Sequence, residues 1–189
     1  FGLLGTLSFN GNKIVTTGGG GAILTNDPEL GKRAKHLTTT AKLPHSWEFR
    51  HDAVAWNFRM PNINAALGCA QLEQLDAFVA YKRRTAALYT ELFADTPWRF
   101  LQEPEGARSN YWLCSVLFEN RAERDAFLKA SNDAGVMTRP AWEPLHSLPM
   151  FAGCLRGSLT ATLSLADRLV NIPSGCKQKT ESTAHETEF

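Results

Sequence analysis

Ser8-Phe9-Asn10-Gly11-Asn12-Lys13-Ile14-Val15-Thr16-Thr17-Gly18-Gly19-Gly20-Gly21 is the stretch that decides the fold. It follows a short apolar, β-prone run, Leu3 to Phe9. Asn10-Gly11-Asn12 is a turn signal. Ile14 to Thr17 is β-branched throughout, which predicts a second strand. After the four glycines, Ala22-Ile23-Leu24-Thr25 reads as a third short strand. The segment from Phe1 to Asn10 reads as a buried strand entering mid-fold, so the chain is expected to be the later portion of something larger.

Lys13 and Ser8 are the chemically telling residues here. Shielding at a strand-edge turn, together with nearby cations, lowers a lysine pKa from about 10.4 and leaves more of it as free amine. Such an amine forms a Schiff base with an aldehyde such as pyridoxal 5'-phosphate. A hydroxyl among glycine amides, as at Ser8, holds a phosphate. Spacing alone also accommodates, and on its own favours, a surface hairpin lysine and a glycine turn that lets two segments approach. The glycine run fits neither GxxxxGK[ST] nor GxGxxG in its Rossmann setting.

Outward from this stretch, Asn26 or Asp27 caps a predicted helix with Pro28 at its first position. Residues 38–61 are irregular and polar-aromatic, and a connection this long is more often functional than idle. Within it, the Asn57 amide and the Arg59 fork suit a phosphate, or equally a helix cap and acidic partners. Leu72, Leu75 and Val79 recur at helical spacing in a long predicted helix, 62–93, with Lys82-Arg83-Arg84 on its solvated face. Further on, the pattern predicts a buried strand over 110–118, a helix over 121–134 closed by Gly135, and a short strand over 136–139 stopped by Pro140. A last helix is predicted over 160–169, and a disordered tail over 176–189. His146 is a candidate general acid/base and Trp142 a stacking surface, although a lone histidine is more often structural.

The chain has 189 residues, 43% hydrophobic and 21% charged, enough for a sizeable core. Lys+Arg total 20 against Asp+Glu 19, a formal net charge of +1, which is no footprint of a nucleic-acid binder. No apolar run approaches the ~18 residues that span a bilayer. Cys69, Cys114, Cys154 and Cys176 form no CxxC pair. They read as reduced thiols of a cytoplasmic protein. His36, His45, His51 and His185 lack HExxH-type spacing, so no metal site is predicted.

The Ser8–Gly21 stretch resembles the cofactor-lysine segment of the DegT/DnrJ/EryC1 family of pyridoxal-phosphate-dependent sugar aminotransferases. Trp56-Asn57-Phe58-Arg59-Met60-Pro61-Asn62-Ile63-Asn64-Ala65-Ala66-Leu67-Gly68 is similar to that family's next motif. Thr138-Arg139-Pro140-Ala141-Trp142-Glu143-Pro144-Leu145-His146 is similar to its C-terminal substrate loop. The first and third blocks are most similar to the LegC-type branch, which acts on UDP-linked 4-keto-6-deoxy-N-acetylhexosamines. The resemblance covers about residues 1–174. It implies an α/β fold, the pyridoxal-phosphate-dependent transferase fold type I (aspartate aminotransferase-like), in part. Residues 1–61 would end the large cofactor-binding domain, 62–95 would be the connecting helix, and 96–175 the small C-terminal α/β domain.

The resemblance further implies a role for each site residue. Lys13 would hold pyridoxal 5'-phosphate and shuttle a proton between cofactor and substrate carbons. Ser8 would bind the cofactor phosphate. Asn57 would reach the phosphate in the neighbouring subunit of a homodimer with shared active sites. Arg59, Trp142 and His146 would meet the nucleotide-sugar substrate, and L-glutamate would be the amino donor. Family members carry an N-terminal half that supplies the Asp for the pyridine nitrogen; a chain without it is expected to be inactive alone and to expose the surface that half covers. A non-catalytic truncated remnant that binds an intact subunit is the alternative. The family's dehydratase branch replaces the lysine by histidine, and Lys13 argues against it.

Overall fold

The computed structural model describes residues 2–176. The predicted tail lies outside the described residues except for Cys176. The chain divides into two compact units after Ala77.

In the first unit, β1 (Gly5–Ser8) and β2 (Gly21–Leu24) pair antiparallel, from Gly5 opposite Leu24 to Ser8 opposite Gly21. That register makes 9–20 a closed loop, so Ile14–Thr17 is not the predicted strand. Its β-branched residues serve the loop instead. The Thr17 N–H donates to Phe9 O at 3.0 Å and Thr16 Oγ1 to the same oxygen at 3.1 Å, while Val15 and Thr17 are buried. In this chain β1 is exposed along its length, with Leu7 47% exposed. Among the described residues the ribbon has two strands, and two strands alone cannot cover both their faces. Gly21 is required by closeness, because a Cβ there would run into the Leu7 carbonyl oxygen.

Helix α1 (Pro28–Thr38) starts as predicted: Asp27 Oδ1 accepts from the N–H groups of Glu29 and Leu30 at 2.9 and 3.1 Å, and Pro28 opens the helix. Residues 39–58 then double back on its C-terminal end. The long predicted helix is two helices, α2 (Asn62–Leu72) and α3 (Leu75–Leu92). Gln74 N–H bonds to Gln71 O at 3.2 Å, the tightened i→i−3 turn that interrupts an α-helix. Among the described residues no helix is long and apolar enough to cross a membrane.

The second unit carries an antiparallel sheet in the order β3-β4-β6-β5. Its strands are β3 (Arg99–Phe100), β4 (Cys114–Leu117), β5 (Arg139–Pro140) and β6 (Leu169–Ile172). Helix α4 (Arg121–Asp133) is capped by Asn120, which accepts from Glu123 N–H at 3.0 Å, and Gly135 turns left-handed beyond it at φ 77°. Helix α5 (Thr160–Ala166) is shorter than predicted. The chain leaves it for β6, where Val170 and Ile172 point inward by the period of two. The strand predicted over 136–139 pairs only at Arg139 and Pro140; Pro140 is tolerated because β5 is an edge strand. The core joins Ala86, Phe100, Cys114, Val116, Phe118, Val170 and Ile172, with the Phe127 ring 4.8 Å from that of Phe118.

The basic run on α3 is not a solvated face. Lys82 is 6% exposed and donates to Ser174 O at 2.6 Å and Trp112 O at 3.3 Å, joining the segments that enter β4 and leave β6 at one end of that antiparallel pair. Arg83 grips Glu103 with both Nη atoms, at 2.8 and 2.7 Å. Arg84 alone is exposed, over the Tyr81 ring. Long basic side chains bury when backbone carbonyls or a carboxylate receive their heads.

Candidate active site

Ser8 ends β1 and Lys13 lies in the loop that closes the Ser8–Gly21 end of the β1–β2 ribbon. Lys13 N–H donates to Asn10 O at 3.0 Å, and Asn10 N–H reaches Ser8 Oγ at 3.4 Å. Asn10 Nδ2 braces Asn12 Oδ1 at 3.1 Å. Lys13 is half-buried.

The glycine loop is held as firmly as the turn. Phe9 N–H donates to Gly20 O at 2.9 Å, Gly18 N–H to Thr16 Oγ1 at 2.9 Å, and Thr17 Oγ1 to Gly19 O. Gly18 and Gly20 have φ of 78° and 95°, a backbone that disfavours side chains. Helix α2 locks the loop from its own first turns: Asn64 Nδ2 donates to Thr17 O at 2.5 Å, and a Cβ on Gly68 would lie 2.9 Å from Thr17 Cγ2. Sequence reading assigned no role to Thr17, Asn64 or Gly68. An Asn in the first turn of a helix and a glycine two turns into it were the available signals.

Asn57 and Arg59 stand in a different frame. Asn57 bridges Thr39 just beyond α1, flanked by Trp56 N–H to Leu37 O at 2.9 Å and Phe58 N–H to Thr38 O at 2.8 Å. Trp56 and Phe58 stack at 6.0 Å and are both exposed. Arg59, with Phe58 and Met60, lines an open, mainly apolar pocket of about 750 Å³ against Leu7, Ile23 and Lys35; neither Lys13 nor Ser8 belongs to its lining. Sequence reading also missed a pair behind Asn57: His36 Nε2 lies 2.6 Å from Asp52 Oδ1. The hydrogen bond to His36 holds the Asp52 carboxyl below its usual value.

Trp142 and His146 belong to the second unit, where they line one pocket of about 340 Å³ with Arg121, Arg124 and Asp167. Ala141 N–H donates to Leu169 O at 3.2 Å and anchors the loop to β6. Single 3-10 turns at Leu145–Ser147 and Pro149–Phe151 follow. Arg121 is engaged by Asp167 at 3.3 Å, and Arg124 by Asp125 and Ala166 O at 2.6 Å each. The pocket combines an exposed indole, an imidazole and charges of both signs.

The family model for the DegT/DnrJ/EryC1/StrS aminotransferases matches residues 1–186. The chain belongs to that family. It is 36% identical over 174 residues to GDP-perosamine synthase of Escherichia coli O157:H7, which covers 92% of this chain and 47% of that protein. It is 29% identical to a UDP-4-amino-4,6-dideoxy-N-acetyl-beta-L-altrosamine transaminase of Helicobacter pylori, over 80% of this chain and 41% of the relative. Among solved structures, the PLP-form of the sugar aminotransferase Spr1654 from Streptococcus pneumoniae superposes with a TM-score of 0.83 at 22% identity. That likeness covers 95% of this chain and 48% of the neighbour. The chain therefore has part of the α/β fold of the sugar aminotransferases, and it spans about half the length of the curated relatives it matches.

The family implies pyridoxal phosphate, and the donor set of the first unit fits that group. Ser8 brings a hydroxyl, Asn57 an amide and Lys13 an amine, the kinds of group that a phosphate and an aldehyde take.

Proposed function

We propose that this chain is the lysine-bearing half of an aminotransferase that moves an amino group onto a 4-keto-6-deoxy nucleotide sugar. The observation that carries this reading is the Ser8–Lys13 segment, braced through Asn10 and locked by α2, in a chain that the aminotransferase family matches over its length. Pyridoxal phosphate, when bound, supplies the aldehyde that carries the amino group from donor to acceptor. Ser8 Oγ donates to the phosphate. The Asn57 amide serves the phosphate of a second copy, so the active unit is a homodimer with shared sites. Lys13 Nζ would carry the proton between the substrate carbon and the cofactor carbon, which a positioned amine does efficiently. Arg59, Trp142 and His146 orient the sugar nucleotide. L-Glutamate is the donor and UDP-linked N-acetylhexosamine the acceptor class, both from the family resemblance, and the enzyme works in the cytoplasm.

The test uses the full-length protein, L-glutamate and 4-keto-6-deoxy sugars carried on UDP or GDP, with the amino sugar read by mass spectrometry. Product from the UDP-linked N-acetylhexosamine, lost in Lys13→Ala, is expected. Product from the GDP sugar alone moves the acceptor to the other carrier, and no product from either overturns the reading.

A further inference from the structure

Residues 39–58 form a folded-back arm whose return strand carries Asn57. The bridges Thr39–Asn57 and Lys42–His51 pair its two sides, and Asp52 N–H closes the inner end on Ala41 O at 3.2 Å. The corner that starts the arm is strained. Thr40 and Ala41 have φ of 72° and 48°, a region unfavourable for non-glycine residues and above all for a β-branched one. Ala41 is fully buried, so the corner cannot relax by moving outward. Two histidines act on it. His51 Nδ1 lies 2.7 Å from Thr40 O, and His36, in the last turn of α1, meets Asp52 at 2.6 Å. Ala41 N–H in turn donates to His36 O at 2.8 Å. Backbone and side chain of His36 thus hold both sides of the corner, two residues from the Thr39–Asn57 bridge.

We propose that His36 and Asp52 are positioning residues: their pair latches the strained corner and thereby fixes Asn57 for the cofactor phosphate. The latch rests on the proposed role of Asn57 and adds to it the side chains that make the role possible. The charged and titratable groups around the pair are Arg33, which also favours the Asp52 carboxylate, and His51 on the arm.

The test is a double-mutant cycle in the full-length protein, read as the dissociation constant of pyridoxal phosphate by absorbance. His36→Phe keeps a ring and removes the donor. It weakens binding roughly tenfold, the size of a lost hydrogen bond to a charged group. His36→Gln, whose amide nitrogen takes the place of Nε2, recovers binding to within about threefold. In an Asn57→Ala background His36→Phe causes no further loss, a result that a general structural role would not give. Asp52→Ala, which removes the acceptor, replaces His36→Phe if the latter does not fold. An effect of His36→Phe that persists undiminished beside Asn57→Ala, or no effect at all while Asn57→Ala weakens binding, overturns the latch alone. Asn57→Ala without effect overturns the reading of Asn57 on which it rests.

Discussion

The two units keep their shape by different means. In the second, Val116 and Val170 are fully buried and Cys114 and Phe118 are 1% exposed, so hydrophobic burial does the work. Burial in that core pushes the Cys114 thiol up to about 11. In the first, the ribbon leaves Leu3, Leu7, Ile23 and Leu24 exposed, and the Lys13 loop is fixed by backbone and threonine hydrogen bonds with Thr17 as its packed centre. Among the described residues the hydrophobic core thus lies in the second unit, and hydrogen bonds hold the Lys13 loop.

The sharpest way to break this contrast is Phe118→Ala. It should cost the second unit about 3–5 kcal/mol, read as lost native-state hydrogen-exchange protection in β4 and β6. Retained protection there would mean that the sheet is not held by its core. Gly68→Ala tests the packed centre of the first unit. A methyl 2.9 Å from the stiff, buried Thr17 side chain overpacks the site, and the helical gain of alanine offsets part of the loss. The net cost is about 1 kcal/mol, with faster exchange at the Thr17 amide; unchanged exchange would show that α2 does not lock the loop.

Acid separates the units next. The Arg83 hydrogen bonds hold Glu103 down to about 2 from 4.5. A depressed carboxyl contributes stability above its unfolded value that is lost as pH falls from about 4.5 toward 2. Glu103→Gln should flatten that acid limb in exchange measurements on the second unit, and an unaltered limb would assign it to other groups. The smallest effect belongs to the ribbon: Leu7→Ala should cost under about 1 kcal/mol, because little apolar area leaves water there in the first place. A core-sized loss would show the ribbon covered.

Much of this was legible in the sequence where local chemistry rules. Asp27-Pro28 started α1 and Gly135 closed α4 because cap geometry depends on few neighbours. The family was legible because the three quoted blocks carry it. Misreadings arose where a partner far along the chain decides the outcome. Ile14–Thr17 has strand composition, yet the Ser8–Gly21 register leaves it inside a loop. Lys82 sits in a charge run, yet carbonyls of Trp112 and Ser174 receive it. The end of α5 was extended into β6 because short apolar runs do not declare their period. Of the site residues, Ser8 and Lys13 share one end of the ribbon, Trp142 and His146 share one pocket, and Asn57 stands on its own arm; the His36–Asp52 pair behind that arm spans sixteen positions and left no local signal.

The most direct measurement is borohydride reduction of the full-length protein with pyridoxal phosphate, followed by peptide mass spectrometry. The account predicts a yellow protein before reduction and a single phosphopyridoxyl group on Lys13 after it. A label fixed on another lysine, or a colourless protein that takes none, would contradict it.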